Sequence, residues 1–199
     1  MSNVRHKLAS LFVLGISILI GWIAYINFGI PDPNTVLLTR ATNSARRAMI
    51  EQDWESALNV LAEANKTADP NWELLTWYAV LLEKTGVTSD AIVEQATLLT
   101  KPEDMWITYG MVAILADEPR LALKAGQTLI DQNIVSVEGY FLVAQAYDIQ
   151  DELETALQYY ELTLDTIEQV SGHEGIYITV RQRVAQINIE LMEQEVICC

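Results

Sequence analysis

Beyond Pro33, apolar residues recur three and four positions apart through almost the whole chain, which predicts a succession of helices. Pro and Gly fall mainly at the breaks between them. Ahead of that region the pattern changes. Leu8 to Ile30 is a run of 23 residues without Asp, Glu, Lys or Arg. At ~1.5 Å per helical residue it is long enough to cross a hydrocarbon core ~30 Å thick. It is too long for a secretory signal, and it runs out through Tyr25, Asn27, Phe28 and Pro31 without a small-x-small cleavage site. An uncleaved transmembrane anchor over 8–30 is therefore expected, with Trp22, Tyr25 and Phe28 near the membrane–water boundary. Arg5 and Lys7 favour a cytoplasmic N-terminus, whereas Arg40, Arg46 and Arg47 weaken that bias. The arrangement expected is a single pass through a bacterial inner membrane with the following domain in the periplasm; a cytoplasmic-facing domain is the alternative.

Self-similarity organises the rest. Ala57, Ala91, Ala122 and Ala156 each follow a short turn, at separations of 34, 31 and 34 residues. Twelve residues before each stands another small residue: Ala45, Ala79, Gly110 and Ala144. Small residues in such pairs let two helix backbones cross closely. Bulky residues surround them, as in Trp106-x-x-Tyr109-Gly110 and Tyr140-x-x-Val143-Ala144-x-x-Tyr147, followed by Asp151, Leu153, Ala156 and Tyr160. This is the tetratricopeptide (TPR) pattern of paired helices A and B. The fold class expected is all-α: one transmembrane helix, then a TPR-type α-solenoid of four helix pairs, then a capping helix. The divisions are a basic N-terminus at 1–7, the anchor at 8–30, a linker at 31–37, repeats at 38–71, 72–102, 103–136 and 137–171, and a cap and tail at 172–199. The third repeat reads as three residues short, and Gly126 stands where helix B usually has a bulky residue. Asp69 before Pro70, and Thr100 or Lys101 before Pro102, read as helix starts; Gly86 reads as a helix end. After the polar break Ser171 to Gly175, the stripe Ile176, Val180, Val184, Ile187 and Leu191 suits a helix covering the last repeat.

Charge and chemistry narrow the function. Residues 31–199 carry 27 acids against 10 bases, a net charge of −17. So acidic a domain repels nucleic acid. Cys198 and Cys199 are adjacent, so they staple no core, and neither CxxC nor CxxCH occurs. His6 lies beside the anchor and His173 in a loop, and no nucleophile–base, phosphate-loop or metal-ligand motif is present. Pairs such as Glu103-Asp104, Asp117-Glu118 and Asp151-Glu152 fall at turns and first helical turns, where acids complement the helix dipole. The expectation is a non-enzymatic protein without a cofactor, a metal or a small-molecule substrate.

In stacked helix pairs the A helices line the concave surface. The second, fifth, ninth and twelfth positions of each repeat are expected to face inward. In the first repeat these are Thr39, Thr42, Arg46 and Met49. The candidate peptide groove is Glu73, Thr76, Val80 and Glu83; Asp104, Ile107, Met111 and Ile114; Glu138, Phe141, Gln145 and Asp148. Its middle is apolar and its rim acidic, which suits an amphipathic helix or extended peptide carrying basic residues.

The chain also resembles the membrane-anchored TPR proteins of bacterial cytochrome c biogenesis, in the haem-ligation branch. The resemblance covers about Asn71 to Leu191. It rests on Trp72-Glu73-Leu74-Leu75, on Pro102-Glu103-Asp104-Met105-Trp106, on Val137 to Leu164 and on a final helix at Gly175 to Met192. It implies a chaperone that holds the C-terminal helix of an apocytochrome for membrane-bound haem lyase subunits, with the groove doing the holding. The alternative is a periplasmic TPR scaffold or chaperone subunit of a translocon, envelope-assembly or other membrane complex.

Overall fold

The computed structural model describes residues 32–132 and 136–197. The anchor expected over 8–30 and the Cys198-Cys199 pair lie outside the described residues. Among the described residues no helix is long and apolar enough to cross a membrane. The helices are α1 (Pro33–Ile50), α2 (Trp54–Thr67), α3 (Trp72–Lys84), α4 (Asp90–Thr97), α5 (Pro102–Leu115), α6 (Pro119–Asp131), α7 (Val137–Ile149), α8 (Leu153–Ile167) and α9 (Glu174–Ile197). The chain divides into two units between Leu37 and Leu38, and the helix packing lies within the second. Helix α1 reaches back to Pro33, ahead of the expected repeat start at Leu38, because proline is well placed in a first helical turn.

Helix α3 packs on α2, α4 and α5; α5 packs on α3, α4, α6 and α7; α7 packs on α5, α6 and α8. First helices of successive pairs thus touch each other as well as the second helices, which is the stacking of a TPR-type solenoid. The sequence explains the division of labour. Helices α3, α5 and α7 are apolar on nearly every face and lie in the middle of the stack. Helix α6 alternates Leu121, Ala122, Ala125 and Leu129 with Arg120, Lys124 and Gln127, so one face stays in water.

The four A helices end alike. Gln52, Gly86, Asp117 and Asp151 take positive φ of 59°, 82°, 55° and 60°. Their amides return to the carbonyls of Met49, Glu83, Ile114 and Asp148. The next amides, of Asp53, Val87, Glu118 and Glu152, return to Ala48, Leu82, Ala113 and Tyr147. These paired bonds are the Schellman closure, and they recur with the spacing of the small residues.

Small-residue contacts hold the stack at close range. Ala45, Ala57, Ala79, Ala122, Ala144 and Ala156 are fully buried. A Cβ on Gly110 would run into Leu142, and one on Gly126 would lie 2.8 Å from the Gly139 carbonyl oxygen. Gly126 therefore marks a backbone-to-backbone approach of α6 and α7, which is why helix B carries no bulky side chain there.

Two sequence expectations are corrected. Ala91 is exposed rather than packed between helices. Helices α2, α6 and α8 start within two residues of the Schellman residue, but α4 starts only at Asp90, after Gly86-Val87-Thr88-Ser89. The delay rotates α4, so Ala96 is buried and Ile92 and Val93 are the side chains packed on the core. It also leaves α4 at 8 residues, so the three-residue shortfall lies in the second pair and not in the third, whose helices have 14 and 13 residues. Asp69 is not the cap of α3; Asn71 is, and its side chain accepts the Leu74 amide at 3.0 Å. Pro102 does open α5 after Lys101.

Helix α9 covers the far end. Ile176, Val180, Val184, Ile187 and Leu191 form a second core with Phe141, Leu153, Ala156 and Tyr160. Leu142 and Ala146, on the other side of α7, belong to the first core.

Candidate functional site

The open concave space lies across the first three pairs. Arg46 from α1, Glu73 and Trp77 from α3, and Ile107, Thr108, Met111, Val112, Ile114 and Leu115 from α5 line a cavity of about 460 Å³. The Arg46 guanidinium stands 5.4 Å from the centre of the Trp77 ring, a cation–π distance. Trp77 is buried, whereas Met111 is 48% exposed, so among the apolar side chains that line the cavity Met111 is the most free to meet a partner. An unbranched thioether adapts to varied surfaces. Glu73 and Asp104 are exposed on α3 and α5, and among the described residues neither forms an ion pair.

Only part of the expected groove is assembled there. Glu73, Ile107, Met111 and Ile114 line the cavity. Thr76 and Val80 do not: both are fully buried, and the Thr76 hydroxyl donates to the Trp72 carbonyl at 2.7 Å. Contact between neighbouring A helices consumes these fifth and ninth positions of the second repeat. The open face is turned by about one residue, which brings in Trp77, Thr108, Val112 and Leu115. Glu83 accepts from the Ser89 hydroxyl at 2.7 Å and stands beside the buried Tyr109 hydroxyl. Burial, and then that carboxylate, push the Tyr109 ionisation well up.

The fourth repeat's share is occupied. Arg183 of α9 grips Asp148 with two bonds of 2.7 Å and reaches Glu190 at 2.9 Å. Tyr160 donates to the same Asp148 carboxylate at 3.0 Å. The bonds to Asp148, and then to Glu190, raise the Arg183 pKa; burial, and then Asp148, raise that of Tyr160. His173 Nε2 lies 3.0 Å from Glu138. Phe141 is buried in the second core, and the Gln145 side-chain oxygen is buried. Phe141 and Asp148 thus hold the terminal helix, and Glu138 the turn before it, rather than an open groove; the buried Gln145 oxygen has no hydrogen-bond partner among the described residues. Of the acidic rim only Glu73 lines the cavity, together with Arg46; Asp104 is exposed on α5 outside its lining. Arg46 and Met49 part company, since Met49 is buried in the core.

No protein-family model and no curated protein matches the chain. Some solved structures align with much of the chain at low similarity. One is MamA, residues 41 to the end, from Desulfovibrio magneticus RS-1. It is 16% identical over 80% of this chain and 88% of that one, with a TM-score of 0.45. A second MamA structure is 18% identical over 80% and 94%, with a TM-score of 0.37. The helix-pair architecture stands on the packing described above, independently of these likenesses. Among the described residues, no group of three or more His, Cys, Asp or Glu side chains is placed to hold a metal ion.

Proposed function

We propose that this protein is a non-enzymatic interaction module, anchored by the Leu8–Ile30 run, that holds a segment of a partner protein in the groove across its first three helix pairs. The observation that carries the reading is the partly exposed apolar wall of Ile107, Met111, Ile114 and Leu115 facing Trp77. A partner covering that wall gains ~25 cal/mol for each Å² of apolar surface removed from water. The rim selects the partner's charge: a basic side chain beside Glu73 or Asp104, and none beside Arg46. An amphipathic helix with two or three apolar anchors meets these demands. The anchor and the Arg5 and Lys7 charges support a place in a bacterial inner membrane with the repeats in the periplasm.

Two partners fit. The sequence resemblance supports the C-terminal helix of an apocytochrome c, presented to haem lyase subunits. The closure of the fourth repeat by α9 favours instead a shorter docking surface, as in a scaffold or chaperone subunit of a translocon or envelope-assembly complex. Mass spectrometry of proteins that co-purify with the full chain from mildly solubilised membranes separates them. Haem lyase subunits with an apocytochrome support the first. Translocon or envelope-assembly subunits without them support the second. In either case Met111→Lys is expected to reduce recovery about tenfold or more, the loss typical of a central interface residue. Undiminished recovery would remove the groove from the interaction.

A further inference from the structure

Charge is distributed unevenly along the repeats. Helix α1 contains Arg40, Arg46 and Arg47 and not one acid, while residues 51–199 carry 26 acids against 7 bases. Arg46 is engaged with Trp77 in the groove. Arg40 and Arg47 are exposed, and neither forms an ion pair among the described residues. Seven residues apart, they stand on one helix face about 10 Å from each other along the axis. Asn43 and Ser44 lie between them, and Ile50, 68% exposed, continues the face beyond Arg47. The opposite face of α1 is committed to the core through Ala41, Ala45 and Met49. Helix α1 is therefore basic with an apolar tip on its free side and small and apolar on its packed side.

We propose that this free face of α1, centred on Arg40, Ser44 and Arg47, docks on the anionic lipid headgroups of the membrane in which the N-terminal run is inserted. The proposal rests on the anchor reading above. Three features together support a lipid surface. The apolar run ends at Ile30, only a few residues before α1 begins at Pro33, so the face is delivered to headgroups at high local concentration. Each basic residue held at an anionic surface adds about fivefold to binding, so two of them matter only when such tethering supplies the rest. Finally, the acids of 51–199 are repelled by the same surface, and α1 carries three arginines without an acid, whereas the Arg120 and Lys124 of α6 share their helix with Asp131 and lie far along the chain from the anchor. An acidic protein patch would also attract Arg40 and Arg47, but it gives no reason for the position of the charge next to the anchor.

The test uses the full chain, with Cys198 and Cys199 replaced by serine. A spin label is placed at Ser44→Cys on α1 or at Asn59→Cys on the exposed side of α2. Resistance of the membrane-bound chain to alkaline carbonate is measured first; extraction would overturn the anchor reading and this proposal with it. In lipid nanodiscs containing phosphatidylglycerol, the Ser44 label is expected to collide with headgroup-chelated nickel about threefold or more as often as the Asn59 label. Arg40→Gln with Arg47→Gln, or discs of phosphatidylcholine alone, should bring the two labels to parity. An integral chain with equal labels in anionic discs overturns this proposal alone. So does an excess at Ser44 that persists without anionic lipid, or protection of Ser44 found only in native membranes, which would assign the face to an acidic protein.

Discussion

Gln52 takes a left-handed conformation that costs a side-chain-bearing residue ~1–2 kcal/mol, at a position where its counterpart one repeat later is Gly86. Gln52→Gly is expected to stabilise the fold by ~1 kcal/mol after glycine's own entropy cost, read from the shift in urea midpoint. Asp117→Gly and Asp151→Gly should gain less, since Asp tolerates that conformation better. Gly126 gives the opposite sign. Alanine is the better helix former, yet its Cβ would meet the Gly139 carbonyl, so Gly126→Ala should destabilise by ~1–3 kcal/mol. Both effects trace to marks left in the sequence. The small residues and the closures share the 34, 31, 34 spacing because close approach and chain reversal each restrict which side chains fit. The buried tyrosines add a pH dependence. Tyr109 and Tyr160 ionise above the ordinary value of 10.0 in the folded chain. Their stabilisation is fully present below about pH 10 and is lost as pH rises through the folded-state values. Tyr160→Phe should therefore lose less stability than the unsubstituted chain between about pH 9 and about pH 11 in chemical melts.

At the scale of elements, α4 and α9 depart most from a regular repeat. The residues Val87 to Ser89 delay α4, and a hydrophobic pattern does not reveal a rotation of that kind. Ala91 is in register by count and out of register in space. The stripe from Ile176 to Leu191 was legible because apolar spacing fixes which face a long helix buries. Its polar clamp was not: Arg183 meets Asp148, and His173 meets Glu138, each across 35 residues, and pairing at that distance leaves no local signature. The Arg183 head is 26% exposed, so solvent weakens the pair, and Arg183→Met should cost ~1–3 kcal/mol rather than the full penalty of a buried pair. Hydrogen exchange should show the loss first in α9, with α5 and α7 still protected. Uniform loss across the stack would show that α9 and the repeats unfold together.

For the whole molecule, the repeat array defines an inside and the terminal helix decides how much of it stays open. The apolar centre of the groove was readable from Ile107, Met111 and Ile114. The turn of the face toward Trp77 was not, because it depends on how tightly neighbouring A helices press Thr76 and Val80 together. Exposure alone does not mark the site: Leu98 at the end of α4 is 80% exposed, against 48% for Met111. That contrast supplies the most direct measurement. A photo-crosslinking amino acid is placed at Met111, at Leu98 or at Phe141 in the full chain in its native membrane, and crosslinked partners are quantified. A discrete partner captured from Met111 and not from Leu98 or Phe141 is expected. Capture from Leu98 with none from Met111 would contradict a groove that works across the first three helix pairs.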